Sequence, residues 1–473
     1  MIDYEQQTVI ETVAALLYGG RGRRAGYVGL GSDPCGETRK GAMSETRRTR
    51  VSPAVWVPTL YFAEGLPYYA VSMVALIFYQ RMGIRNQIIT LTVSLLALPW
   101  SLKPLWSPLL EMYKTKKFFV VLMEFVCGLG LGMLALSLPL PGYFRYSVAF
   151  LALIAFGSST HDIAADGLYI ASLSAKKQAA YAGWQGGFYN VARFFSQGGL
   201  LILAGYLESR MPAVRAWMII FACAGLILIV LSLYHALVLP SGGEERHSRG
   251  IREVAATFWD VVLIFFRKPH IWFLIVFILL YRVGEGQVVK VGPLFLTDSR
   301  FHGGLGLTTA QFGAIYGTFG TGAFIIGSVL AGYFTSWVGL KRTLLPLVAV
   351  MNLPMVAYLY LSVAMPTNHV LITVALAAEF FGYGFGFIGV ILLMMQEIAP
   401  GKYQTAHYAF ANSLMNLGLV LSGTVSGWIE TRLGYKHFFI WALVSAAPVL
   451  VMARFVPIHS SDARPGSLSP AEP

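Results

Sequence analysis

The chain has 473 residues, of which 56% are hydrophobic and only 12% charged, with a formal net charge of +12. Soluble domains carry about a quarter charged residues, so this composition excludes the several soluble domains that length alone would suggest. The Lys and Arg residues fall in short connections between apolar blocks, which points to anchored membrane loops and away from nucleic acid.

Residues 1–52 read as an N-terminal cytoplasmic tail. They hold a weakly amphipathic stretch near Thr8–Tyr18 and a Gly/Arg-rich run, without the ordered basic, apolar and cleavage regions of a signal peptide. From Met43 the chain reads MSETRRTRVSP, the form of a cytoplasmic start before a first span, so one reading places the true start there and 1–42 outside the native product.

Twelve apolar segments follow: 53–79, 88–110, 118–138, 144–172, 178–207, 216–239, 270–297, 308–337, 343–364, 369–398, 403–429 and 436–456. Most reach the roughly 20 residues that a helix needs to cross a hydrocarbon core, and their Gly and Pro residues are normal in membrane spans. The expected fold is an all-α polytopic membrane protein with twelve transmembrane helices in two pseudo-symmetric six-helix bundles, 53–240 and 270–457. A linker, 241–269, carries Glu244, Glu245, Arg246, Arg249 and Arg252. Its part Ile251–Phe266 mixes apolar and polar residues at helical spacing, as an amphipathic helix on a membrane surface does. Residues 458–473 form a C-terminal tail. Cys35, Cys127 and Cys223 make neither a disulfide framework nor a metal spacing, and no cofactor or metal is expected.

The halves echo each other. Ser107, Glu111, Lys114, Lys116 and Lys117 stand at the same offsets as Gly332, Ser336, Gly339, Lys341 and Arg342. Glu64-Gly65 is matched more weakly by Glu285-Gly286. Parallel repeats of this kind build one large transporter class. With both termini inside, the inner loops hold the excess of Lys and Arg, which fits the positive-inside rule.

Charges within spans are costly and should face a cavity or a partner. Span one offers Tyr61, Glu64, Tyr68 and Ser72, with Pro67 loosening the helix. Lys103 closes span two near enough to the inner face to snorkel. Span four carries His161, and Ser158, Asp162, Asp166 and Tyr169 form one polar stripe. Span five carries Trp184, Gln185, Tyr189, Arg193 and Ser196. Two carboxylates one turn apart would divide roles, one ionised beside Arg193 and one taking a proton; the alternative is a structural Asp–Arg pair. Span seven carries Arg282, Glu285 and Lys290 among Gly286, Gly292 and Pro293, the pattern of a broken helix at a cavity; the alternative is neutralisation of Glu285 by Arg282 or Lys290. Span ten has Glu379 just before Gly382, Gly384 and Gly386, and span eleven has His407, read as structural, with Tyr408, Asn412 and Asn416. The proton-coupling or gating candidates are thus Asp162, Asp166, Glu64, Glu285 and Glu379. The solute-binding candidates are Arg193, Arg282 and Lys290 for anionic groups, and Tyr68, Trp184, Gln185, Tyr189 and Asn412 for sugar or ring surfaces. Glycine pairs Gly183/Gly187, Gly313/Gly317 and Gly423/Gly427 permit close helix approach.

The nearest thing to an ATP-binding loop, Gly31–Thr38, has Glu37 where the phosphate-binding Lys must stand. Neither HExxH nor a nucleophile elbow occurs, so an ATP-driven pump or a membrane-embedded enzyme is not expected.

Three stretches resemble the AmpG-type muropeptide permeases: Leu98–Glu111 (LPWSLKPLWSPLLE), Ser159–Gly167 (STHDIAADG), and Glu379–Gly386 (EFFGYGFG) followed by Leu392–Met395 and Thr405–Ala409. The resemblance covers roughly residues 50–457, and the same branch contains acetyl-coenzyme-A transporters and siderophore importers. It implies the major facilitator fold and a proton symporter in the bacterial inner membrane. The expected solute is an amino-sugar compound recovered from cell-wall turnover, and the partners are small solute, protons and lipid, with a monomer sufficient. A siderophore or oligosaccharide importer is the alternative. Asp162, Asp166 and Glu379 match acidic positions of that family. The superfamily loop motif is degraded, with Lys114 replacing its second Gly in the first copy and Ser336 its Asp in the second.

Overall fold

The computed structural model describes residues 51–107, 110, 114–242 and 251–458, and every regular element among them is a helix. The expectations on Met43, on Glu111 and on the charged residues 244–249 lie outside the described residues. In chain order the helices are α1 (Pro53–Arg81), α2 (Asn86–Leu105), α3 (Lys116–Ser137), α4 (Tyr143–Ser172), α5 (175–208) and α6 (Ala213–Val238). They continue with α7 (Ile251–Phe266), α8 (Ile271–Thr297), α9 (Thr309–Val338), α10 (Leu340–Ala364) and α11 (His369–Ile398). The run Gln404–Met452 bends where Gly434 leaves helical geometry (φ 72°, ψ 161°), dividing it into α12 (404–433) and α13 (435–452).

Ten of the described helical runs are long and apolar enough to cross a membrane. The last of these is the run divided at Gly434. α5 is long enough but more polar, because Lys176, Lys177, Gln178, Gln185 and Arg193 interrupt it. Leu136, Phe156, Leu226, Leu233 and Val374 point outward, which suits a lipid solvent and would be a liability in water.

Local chemistry sets the ends. Thr115 caps α3 by accepting from the Phe118 N–H (3.3 Å), and Asn368 caps α11 by accepting from the Val370 N–H (2.9 Å). Thr308 and Gln311 form a reciprocal capping box at the start of α9. The repeat in the loops has a backbone signature: Lys114 and Gly339, at the same offset, both take a positive φ, 52° and 86°. Glycine adopts that conformation without strain; the first copy holds it with a lysine.

Lipid supplies no hydrophobic drive between helices, so close packing must hold them together. In α1–α6, Phe78 stands 5.5 Å from Trp217 and 5.2 Å from Phe221, centroid to centroid. In α8–α13, Phe277, Tyr281, Leu344 and Val348 centre a second core. The two halves are fastened at one end. Arg81 donates to the Leu307 carbonyl (2.9 Å) and to Thr309 Oγ1 (2.8 Å), and Thr309 donates to Glu208 (2.5 Å). Asn86 donates to Tyr435 (2.9 Å) and Glu430 (3.2 Å). Between α5 and α9 the backbones nearly touch: a Cβ on Gly317 would lie 2.0 Å from the Gln197 carbonyl oxygen.

Candidate functional site

Below this seam lies a cavity of about 190 Å³ between the halves. Its polar lining from the first half includes Glu64 and Tyr68 on α1, Lys103 on α2, Asp162 on α4, and Tyr189 and Arg193 on α5. The second half contributes Arg282, Glu285 and Lys290 on α8 and Glu379 on α11.

On the first wall, Lys103 pairs with Asp162. The sequence placed Lys103 at the membrane face. The helix instead tightens into a 3₁₀ turn at Lys103–Leu105, and the ammonium turns inward. Carboxylate oxygens of Glu64, Asp162 and Asp166 all lie within 4.8 Å of one another. Asp166 sits one layer back from the lining, where it accepts from the Tyr61 hydroxyl (3.2 Å), which in turn accepts from Gln185 (2.5 Å). Arg193 reaches across to the other half, 4.8 Å above the Phe324 ring and 5.7 Å from that of Phe380, distances at which a guanidinium is attracted by an aromatic face.

On the second wall, α8 breaks at Arg282 (φ −108°, ψ 11°). The break aims its guanidinium at Glu285 in a bidentate pair, 2.6 and 2.8 Å, the strongest geometry such a pair takes. Tyr383 (3.2 Å) and Asn416 (3.2 Å) accept two of its three remaining N–H groups, and the Phe387 ring lies 5.0 Å away. Mutual neutralisation, the alternative for this span, therefore describes Arg282 and Glu285, and it does not involve Lys290.

Tyr68, Tyr69 and Tyr189 form an aromatic group beside Trp100, with Tyr68 5.0 Å from Tyr69 and 5.0 Å from Trp100. Trp184 lies off the lining, 43% exposed, against Tyr181 and Phe188. Asn412 is buried off the lining, while Asn416, one turn on, faces it. In the loops, Lys117 donates to the Leu239 carbonyl (3.0 Å), the Lys116 side chain lies against Gly167, and Lys341 and Arg342 are exposed. Gly332 sits within α9, and Gly339 makes the turn into α10.

Sequence reasoning missed Asn416 and Tyr383 as Arg282 partners. It also missed a buried group behind the first wall. Glu124 on α3 bonds His161 on α4 (3.0 Å) and His235 on α6 (2.7 Å), and His235 continues to Thr59 on α1 (2.9 Å). A lone Glu in an apolar span was the available signal.

Residues 58–423 match the family model described as the Major Facilitator Superfamily. Putative transporter AmpG 4 of Rickettsia conorii is 22% identical over 411 residues, covering 84% of this chain and 94% of that one. The anhydromuropeptide permease of Escherichia coli K12 is 24% identical over 371 residues, covering 76% of this chain and 70% of that one. Among solved structures, the nucleoside transporter NupG superposes with a TM-score of 0.64 at 14% identity, covering 84% of this chain and 98% of that one. A cavity between two six-helix halves, sealed at one end, and a family match over most of its length agree: this chain is a multi-pass membrane transporter of the Major Facilitator Superfamily.

Proposed function

We propose that the chain imports a muropeptide or related anionic amino-sugar compound across the cytoplasmic membrane, driven by protons. The observation that carries this reading is the composition of the cavity wall: cations at Arg193, Arg282 and Lys290, carboxylates at Glu64, Asp162, Glu285 and Glu379, and a tyrosine group that suits sugar faces. The similarity to the anhydromuropeptide permease of Escherichia coli supports the solute class. With both termini in the cytoplasm, the Arg81 seam is the outer end and the cavity belongs to an inward-facing state. At about 190 Å³ it falls below the roughly 300–1,000 Å³ of ordinary ligand sites, so a disaccharide requires the inner ends to part further.

Glu64, Asp162 and Asp166 form the proton site in this reading, since three carboxylates this close can share one proton. Uptake of labelled disaccharide muropeptide into membrane vesicles, with and without an imposed inward proton gradient, tests it. Uptake that collapses with a protonophore is expected, and Asp166→Asn should uncouple it while the protein stays folded. Absence of uptake by folded protein moves the solute to siderophores or other glycans; gradient-driven uptake by Asp166→Asn removes that residue from the proton path.

A further inference from the structure

The charged groups of the cavity are unequally committed. Arg282 and Glu285 neutralise each other, Lys103 and Asp162 do the same, and Arg193 rests over two aromatic rings. Lys290 and Glu379 are different. Both line the cavity, and both are deeply buried, at 4% and 6% exposure. Among the described residues neither has an ion-pair or hydrogen-bond partner: no carboxylate stands within 4.0 Å of the Lys290 ammonium, and no cation within 4.0 Å of the Glu379 carboxylate. The charges that act on them do so from farther off, Glu285 and Arg282 on Lys290, and Glu285 and Arg193 on Glu379.

An uncompensated charge within a membrane protein is expensive, and such groups mark a pathway or a ligand. An amine and a carboxyl on one wall, each without a protein partner, suit a ligand that brings the complement of both. We propose that Lys290 and Glu379 form a two-point site for a zwitterionic solute, Lys290 taking a carboxylate and Glu379 a primary ammonium, as an amino acid or the peptide part of a glycopeptide presents. The site lies wholly in the second half, on α8 and α11, and leaves the Glu64–Asp162–Asp166 group on the opposite half for protons. The break of α8 at Arg282 and the glycines Gly382, Gly384 and Gly386 of α11 position the two helices. A Cβ on Gly386 would lie 2.2 Å from that of Met351 on α10, so α11 is pressed against the body of the second half with little latitude. A Cβ on Gly292 of α8 would lie 2.8 Å from the Tyr358 ring of the same α10, so the two groups are carried by helices packed on a common neighbour. This inference rests on the cavity being the solute site of a transporter, and it adds that the solute carries an ammonium.

The test is equilibrium binding to the full chain in lipid nanodiscs, with alanyl-alanine, its N-acetyl form and its C-terminal amide as probes, alongside the disaccharide muropeptide with and without its stem peptide. Removing either charge from the dipeptide should weaken binding about tenfold or more, as loss of a desolvated charge pair does. Lys290→Met should erase the discrimination against the amide, and Glu379→Gln that against the acetylated form. The analogues probe the unaltered chain, so the outcome does not depend on either variant folding. Equal binding of all three dipeptides overturns the inference, even if muropeptide binds and the proposed solute survives. Charge-selective dipeptide binding without muropeptide binding keeps the inference and removes that solute. Binding of neither class overturns it. Retained discrimination by Glu379→Gln, with loss of gradient-driven uptake, also overturns it and makes Glu379 a proton carrier.

Discussion

Arg282 and Glu285 stand three residues apart across a helix break, and their spacing made a pair one of two readings of the sequence. The structure shows the pair, with both carboxylate oxygens engaged, on the wall of the cavity. Removing one member of a buried pair costs about 3–5 kcal/mol, so Arg282→Met should unfold at a clearly lower temperature in detergent. Arg282→Lys should recover only part, because an ammonium lacks the planar fork. The Glu124 group was not legible. Each of its members is an isolated polar residue in an apolar helix, and their meeting depends on which faces of α3, α4 and α6 adjoin. Glu124→Leu strips the shared acceptor from His161 and His235 at sites with almost no solvent access. A loss of about 1–3 kcal/mol per orphaned group should appear in the same melting experiment.

At the scale of elements, the spacing of Ile251–Phe266 revealed an amphipathic helix, but its docking site could not be read. α7 settles on the second half: Phe265 is buried 4.8 Å from the Phe410 ring, and the Val261 carbonyl lies 3.2 Å from His407. Asp260 accepts from Tyr403 (2.6 Å) and Lys402 (3.3 Å). Tyr403 first, then Lys402, holds this carboxyl below its usual range. A lowered carboxylate contributes attachment above its ordinary pKa and loses it as pH falls through the shifted one. Amide exchange along α7, corrected for intrinsic rate, should therefore be steady from pH 7 to about 5 and rise only below the ordinary carboxylate range near 4. Asp260→Asn should raise it at pH 7, and unchanged exchange in that variant would deny the contact any role in holding α7. Span five shows the opposite case of legibility. Hydropathy alone understates it, since its polar residues serve the cavity and the Tyr61–Asp166 network while its glycines meet α9.

For the whole molecule, hydropathy blocks and the loop repeat disclosed two six-helix halves, because lipid imposes length and polarity on every span. Which ends touch was hidden. The glycine pairs looked like ordinary packing, yet Gly313 and Gly317 of α9 meet α5, and Gly423 and Gly427 of α12 meet α2, all across the seam. Gly187 faces open space. Gly317→Ala sets a Cβ against the Gln197 backbone, which cannot step aside as a flexible side chain would. Spin labels at Arg85 and Phe301, both exposed near the seam, should report a longer distance in this variant than in the parent. An unchanged distance would mean that the strain is absorbed within α9. Arg81→Ala should shift the same distance less, since the Asn86–Tyr435 and glycine contacts persist.

The hydrogen bonds of Arg81, Thr309 and Asn86 described above all run from one half to the other, so the surface there exists as a single shape only while it is shut. An antibody fragment that recognises residues of both halves at once, such as Arg85 together with Phe301, would lose its epitope each time the halves part. Its affinity for one state alone is what shifts a population. Such a fragment would act as a clamp, silencing transport from outside the cavity and leaving solute binding in the closed-seam state intact.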